Sequence, residues 1–116
     1  MRKARVIQEH SAESTAPLII TPGDIIEGMH KPSKYSGWLH CHDKKHNYAW
    51  VPEAYLQPLS DRPGFYRVLK KYSSQEINAQ ERQIVEITLE ESGWALVKKR
   101  DGEEGWIPME NLSELD

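Results

Sequence analysis

The chain has 116 residues and 13.4 kDa, with 38% hydrophobic residues, 28% charged residues and a formal net charge of −3, which is room for one ordinary domain or two very small ones and too little for an enzyme with a large substrate domain. No apolar run approaches the roughly 18 residues of a membrane span, the start MRKARVIQEH lacks the apolar stretch of a signal peptide, and an acidic balance lacks the basic field of a nucleic-acid binder. A cytoplasmic protein with neither a membrane nor a nucleic-acid partner is therefore expected, and with Cys41 as its one cysteine the stability has to come from packing rather than from a disulfide.

In chain order the apolar residues come in short runs between turn formers. The first six are RVIQ, PLII, DIIEGM, GWLHC, YAWVP and YLQPL; after the connector QPLSDRPG come FYRVL, EIN, RQIVEITL, GWALV, GWIP and NLSEL. These lengths predict strands. Asp101-Gly102 between GWALV and GWIP predicts a hairpin turn. The segment INAQERQIVEITLEE is rich in helix formers but carries Ile, Val, Ile and Thr close together, and is read as strand. The prolines of WVPEAYL and WIPMENL end a strand, and a tight helical turn there carries the chain to the last strand.

The two series of strands are copies of each other. Trp38 and Trp50 are 12 residues apart, as are Trp94 and Trp106, and the pairs are offset by 56; at that offset Gly37 matches Gly93, Pro52 matches Pro108, Leu56 matches Leu112 and Leu59 matches Leu115. Upstream, Leu18, Ile20, Ile25 and Ile26 match Ile77, Ala79, Ile84 and Val85 at 59, and Val6-Ile7 match Val68-Leu69 at 62. Two three-residue length differences, between Ser11 and Pro17 and between Met29 and Ser36, explain the steps and fall where loops tolerate them. Alternate strand residues should be buried: Val6, Leu18, Ile20, Ile26, Cys41 and Val51 in copy one, and Val68, Ile77, Ala79, Val85, Val97 and Ile107 in copy two.

These motifs resemble two tandem Src homology 3 domains of the divergent bacterial kind, over nearly the whole chain. Leu18, Ile20, Gly23 and Asp24 stand at the family's Leu-x-Phe-x-x-Gly-Asp segment, Trp38 at its third-strand Trp, and Pro52 and Tyr55 at its closing Pro and Tyr. In copy two Tyr72, Trp94 and Pro108 are kept, Glu81-Arg82 or Arg82-Gln83 replaces Gly-Asp, and Asn111 replaces the last Tyr. The resemblance implies an all-β fold of two tandem small five-stranded antiparallel barrels, one over residues 1–60 and one over 61–116. It implies a non-enzymatic protein-interaction module that binds an extended or proline-rich peptide. The grooves so implied are Trp38, Pro52 and Tyr55 with His10 and Trp50 at the edges in copy one, the favoured copy, and Tyr72, Trp94 and Pro108 in copy two.

Charge is uneven, with seven basic and six acidic residues in 1–60 against eight and twelve in 61–116. Glu90 and Glu91 precede Trp94 and are placed to meet a basic residue beside the ligand's prolines, with Glu9 and Glu13 in the same part for copy one. A second reading is a structural scaffold whose aromatic faces are buried between domains or in a homodimer. A third is metal binding at the hairpin HCHDKKH by His40, His42 and a folded-back His46, since Cys41 points to the other face of the strand. No nucleophile with a base, no paired carboxylates and no phosphate loop call for an enzyme or a cofactor; Ser11, Ser14 and Thr15 beside His10 do not make a triad.

Overall fold

The computed structural model describes residues 2–12 and 16–115. The described strands are β1 (Arg2–Val6), β2 (Ile19–Ile20), β3 (Ile25–Met29), β4 (Trp38–His42), β5 (Tyr48–Pro52), β6 (Leu56–Pro58), β7 (Phe65–Val68), β8 (Tyr72–Ser73), β9 (Ile84–Glu91), β10 (Trp94–Lys98), β11 (Glu104–Pro108) and β12 (Leu112–Leu115). One-turn 3-10 helices at Glu53–Tyr55 and Met109–Asn111 follow Pro52 and Pro108, as the two proline motifs predict. The expected strand EIN is reduced to an isolated bridge from Glu76 to Trp106.

The chain folds into two compact units that do not follow the division expected at residue 60. The split unit is Met1–Thr15 with Gln75–Asp116, and the continuous unit is Ala16–Ser74. In the split unit the sheet order is β11-β10-β9-β1-β12; in the continuous unit it is β5-β4-β3-β7-β6, with β2 paired to β8. Both five-stranded sheets are open rather than closed barrels. Each proline-led turn takes the chain from one edge strand, β5 or β11, to the other, β6 or β12, and those edges do not pair.

The two sheets have the same order and, apart from a shift between Leu96 and Val97 where β10 meets β9, the same register, but each is completed by the opening strand of the other sequence copy. Strand β1 pairs Val6 with Leu112 and Arg5 with Ile84. Strand β7 pairs Val68 with Leu56 and Arg67 with Ile25, the equivalent positions in the other copy. Backbone bonds repeat too: Arg82 N–H donates to the Val6 carbonyl and Val6 N–H to that of Gln83, as Gly23 and Val68 N–H do to Val68 and Asp24. This fixes Arg82-Gln83, not Glu81-Arg82, in the place of Gly23-Asp24. Gly23 holds φ 94° and Arg82 holds φ 76°; Gln83 Oε1 accepts the Gln80 N–H as Asp24 Oδ2 accepts that of Thr21.

All twelve residues expected inside are buried, though Val6 lies in the cluster with Ile77, Ala79, Val85, Val97 and Ile107 rather than with its own copy. The opening strands differ in bulk. Ala4, fully buried opposite Val85, shares that cluster with Ile87. Tyr66, opposite Ile26, has its ring over Gly28, where a Cβ would lie 3.4 Å from the ring and 2.9 Å from Cys41 Sγ. In the split unit Gly105 is closed in more tightly, because an added Cβ would sit 2.5 Å from Ile77 Cγ2 and 3.0 Å from the Gln75 carbonyl. Gly105→Ala is expected to cost about 1–3 kcal/mol by overpacking, read as a lower urea midpoint at unchanged slope.

Candidate functional site

On the split unit the site is built around Trp94. A two-residue turn with Ser92 at φ 46° and Gly93 at φ 90° ends β9, the left-handed pair that a tight hairpin favours, and it sets Trp94 opposite Glu91 and Pro108. His10 bridges Ala79 through two 2.9 Å backbone bonds. This brings its ring to 5.9 Å from Trp94 at 82°, edge to face, with Nε2 2.8 Å from Glu76 Oε1. Buried Asn111 holds the strand end leading to His10, its amide donating to the Gln8 and Glu9 carbonyls at 3.2 and 3.3 Å. His10, assigned from sequence to the first copy's groove, is thus part of the Trp94 group.

The acids beside Trp94 are engaged locally. Glu90 faces Arg2 at 3.5 Å, and Arg2 also binds Glu114 at 2.7 Å; hydrogen bonding to Arg2 holds the Glu114 carboxyl below its ordinary range. Glu91 accepts a 2.9 Å bond from the Ser92 hydroxyl. Glu9 is exposed, and Glu13, Ser14 and Thr15 lie outside the described residues. Glu76 and Asn111 are the site residues that sequence reasoning missed: neither belongs to a repeated spacing, and Asn111 shows only as the residue in place of a tyrosine.

In the continuous unit Trp38, Tyr55 and Tyr72 are buried and Trp50 is half-buried. Trp38 pairs with Pro52, and Trp38, Tyr55 and Tyr72 keep 8%, 5% and 6% of their surface, against a half-buried Trp94. Tyr72 meets Tyr55 at 5.9 Å, edge to face, and its hydroxyl donates to the Trp50 carbonyl at 2.9 Å. Tyr72, expected beside Trp94 and Pro108, therefore belongs with Tyr55, Trp50, Trp38 and Pro52. The exchange of opening strands accounts for both reassignments, because His10 and Tyr72 occupy the same place in their copies.

The histidine hairpin is an aromatic face. His40 lies 5.0 Å from Trp50 and 5.8 Å from Tyr48, and His42 lies 5.0 Å from Tyr48 and 3.6 Å from Glu27. Burial, then the charges of Lys31 and His42, lower the His40 pKa. His46 sits in the hairpin turn at φ 62°, its N–H on the Asp43 carbonyl. It does not fold back onto the other two, and no group of three or more metal-ligating side chains occurs among the described residues.

Cys41 is fully buried on the opposite face, and burial pushes its thiol up to about 12. Because the unfolded thiol ionises near 8.5, the folded state binds the extra proton between about pH 8.5 and 12. Stability is therefore expected to fall as pH rises through that window, and Cys41→Val should remove this component of the alkaline loss in pH-dependent urea melts.

Residues 70–114 match the family model of the bacterial SH3 domain. The match takes in β8 of the continuous unit and the strands of the split unit from β9 onward, and begins just after β7, so neither opening strand is included. No curated protein and no solved structure matches the chain. Residues 70–114 are thus similar to a bacterial SH3 domain.

Proposed function

We propose that the protein is a non-enzymatic protein-interaction module, and that the Trp94 group of the split unit is the surface that receives an extended or proline-rich segment of a partner. The observation that carries this is the contrast in exposure between Trp94 and its counterpart Trp38. Trp94 stays half-buried beside His10 and Glu76, whereas Trp38, Tyr55 and Tyr72 are closed. Domains of the bacterial SH3 kind generally mediate protein interactions, and the continuous unit, which repeats the strand order of the split one, is read as a second unit of the same kind. An extended polyproline segment loses little entropy on binding, which suits a shallow site of one half-buried tryptophan and an imidazole over a buried proline. A scaffolding role fits the buried aromatics of the continuous unit alone.

The test is an NMR titration of the intact chain with proline-rich and random extended peptides, following the four indole signals. A saturable shift of Trp94 with Trp38 unmoved is the expected result, and Trp94→Ala should weaken binding by roughly tenfold or more, the level at which an interface anchor acts. If no indole moves at millimolar peptide, the peptide reading fails.

A further inference from the structure

The split unit also contains a cavity of about 320 Å³ lined by Arg82, Gln83, Ile84, Lys99 and Arg100. Three of these five residues are cations, on a unit whose sequence has seven basic and thirteen acidic residues. Lys99 meets Glu103 at 3.1 Å, while Arg82 and Arg100 form no ion pair with a described residue. The other sequence copy provides an internal comparison, since these positions correspond to Gly23, Asp24, Ile25, Asp43 and Lys44. The isoleucine is kept. The charge at the same place in the fold changes from two acids and one base to three bases.

Backbone strain points to the same residue. Arg82 holds φ 76° where its counterpart is Gly23, and a Cβ in the left-handed region is a cost that glycine avoids. A strained residue whose side chain lines a cationic cleft is the pattern expected where binding, not stability, has set the choice.

We propose that this cleft binds the phosphoryl group of a small phosphomonoester, with the Arg82 and Arg100 guanidinium groups as paired donors and Lys99 as a point charge. Planar guanidinium forks match the oxygens of a phosphoryl group; the volume suits a small molecule, with Ile84 as an apolar wall. The site is independent of the Trp94 group and of any peptide bound there.

The experiment is thermal unfolding of the intact chain at constant ionic strength, with inorganic phosphate or phenyl phosphate replacing chloride. Both phosphates should raise Tm saturably. A larger rise with phenyl phosphate assigns the site to an organic phosphomonoester, and an equal rise assigns it to free phosphate, which overturns the organic part of the proposal. Arg82→Gly should melt roughly 3–6 °C higher than the parent without phosphate and lose the phosphate-dependent rise. Arg100→Gln should keep the parent Tm in chloride and weaken phosphate at least about tenfold, the worth of one charge-assisted contact. Absence of a rise over chloride, a rise that persists in both variants, or an Arg82→Gly protein that melts below the parent would overturn the assignment.

Discussion

Residues 16–74 expressed alone are expected to fold cooperatively, whereas residues 1–60 and residues 61–116 expressed separately are expected to remain unfolded. The 16–74 piece contains every strand of the order β5-β4-β3-β7-β6 and the β2–β8 pair. A cut at 60 removes β7 and β8, and with them buried Val68 and Tyr72 and half-buried Tyr66. Each fully buried side chain of this kind is worth about 1.5–3 kcal/mol, and the ladder bonds of β7 to both its neighbours go as well. The loss is comparable with the whole stability of a small domain, about 5–15 kcal/mol. Circular dichroism and urea titration of the three pieces decide the matter; cooperative unfolding of 1–60 would mean that β1 can close its own copy's sheet.

Side-chain volume is what opposes that alternative closure, and it gives the second large effect. With β1 in place of β7, Ala4 would stand where the Tyr66 ring covers Gly28 and leave a void. With β7 in place of β1, Tyr66 would stand where Ala4 fits beside Ile87 in a filled core. Large meets small in both observed pairings. Ala4→Tyr is therefore expected to cost about 3 kcal/mol or more, the upper range of overpacking, seen as a lower urea midpoint for the split unit. Ile87→Ala alone should cost about 2–5 kcal/mol. In the double variant the new ring occupies the space vacated, so its destabilisation should fall short of the sum by about 0.5–3 kcal/mol. Strict additivity would show that the two positions do not share a packing site.

The repeated spacing, most strand positions apart from EIN and β8, the Asp101-Gly102 hairpin and the twelve buried positions were legible in the sequence, because each depends on local alternation, turn chemistry or spacing. The partner of each opening strand was not. Val6 and Val68 occupy the same register against Leu112 and Leu56, so hydrophobic pattern is identical for either pairing and contiguity favoured the wrong one. The discriminating information lies in Ala4 with Ile87 and Tyr66 with Gly28, a match of volumes across strands that has no meaning until the pairing is known. The same error carried His10 and Tyr72 to the wrong aromatic groups. The arginine cleft was hidden for a related reason, since Arg82 joins Lys99 and Arg100 only through the fold.

The insertion of the continuous unit's sequence between the two segments of the split unit also sets the order in which the molecule would yield to tension. A load applied across Arg2 and Leu115 falls on two adjacent antiparallel strands whose loaded ends lie side by side, Lys3 facing Leu115. Such a pair peels open one rung at a time instead of shearing all rungs together. While it holds, the ladder carries the force and the continuous unit feels none. Once it opens and the rest of the split unit unravels, β1 leaving β9 included, tension reaches residues 16 and 74, and the next pair to be peeled is Ile19 with Ser73. Stretching should therefore give two separate low-force events in a fixed sequence, the split unit first, with the continuous unit shielded until its host has come apart.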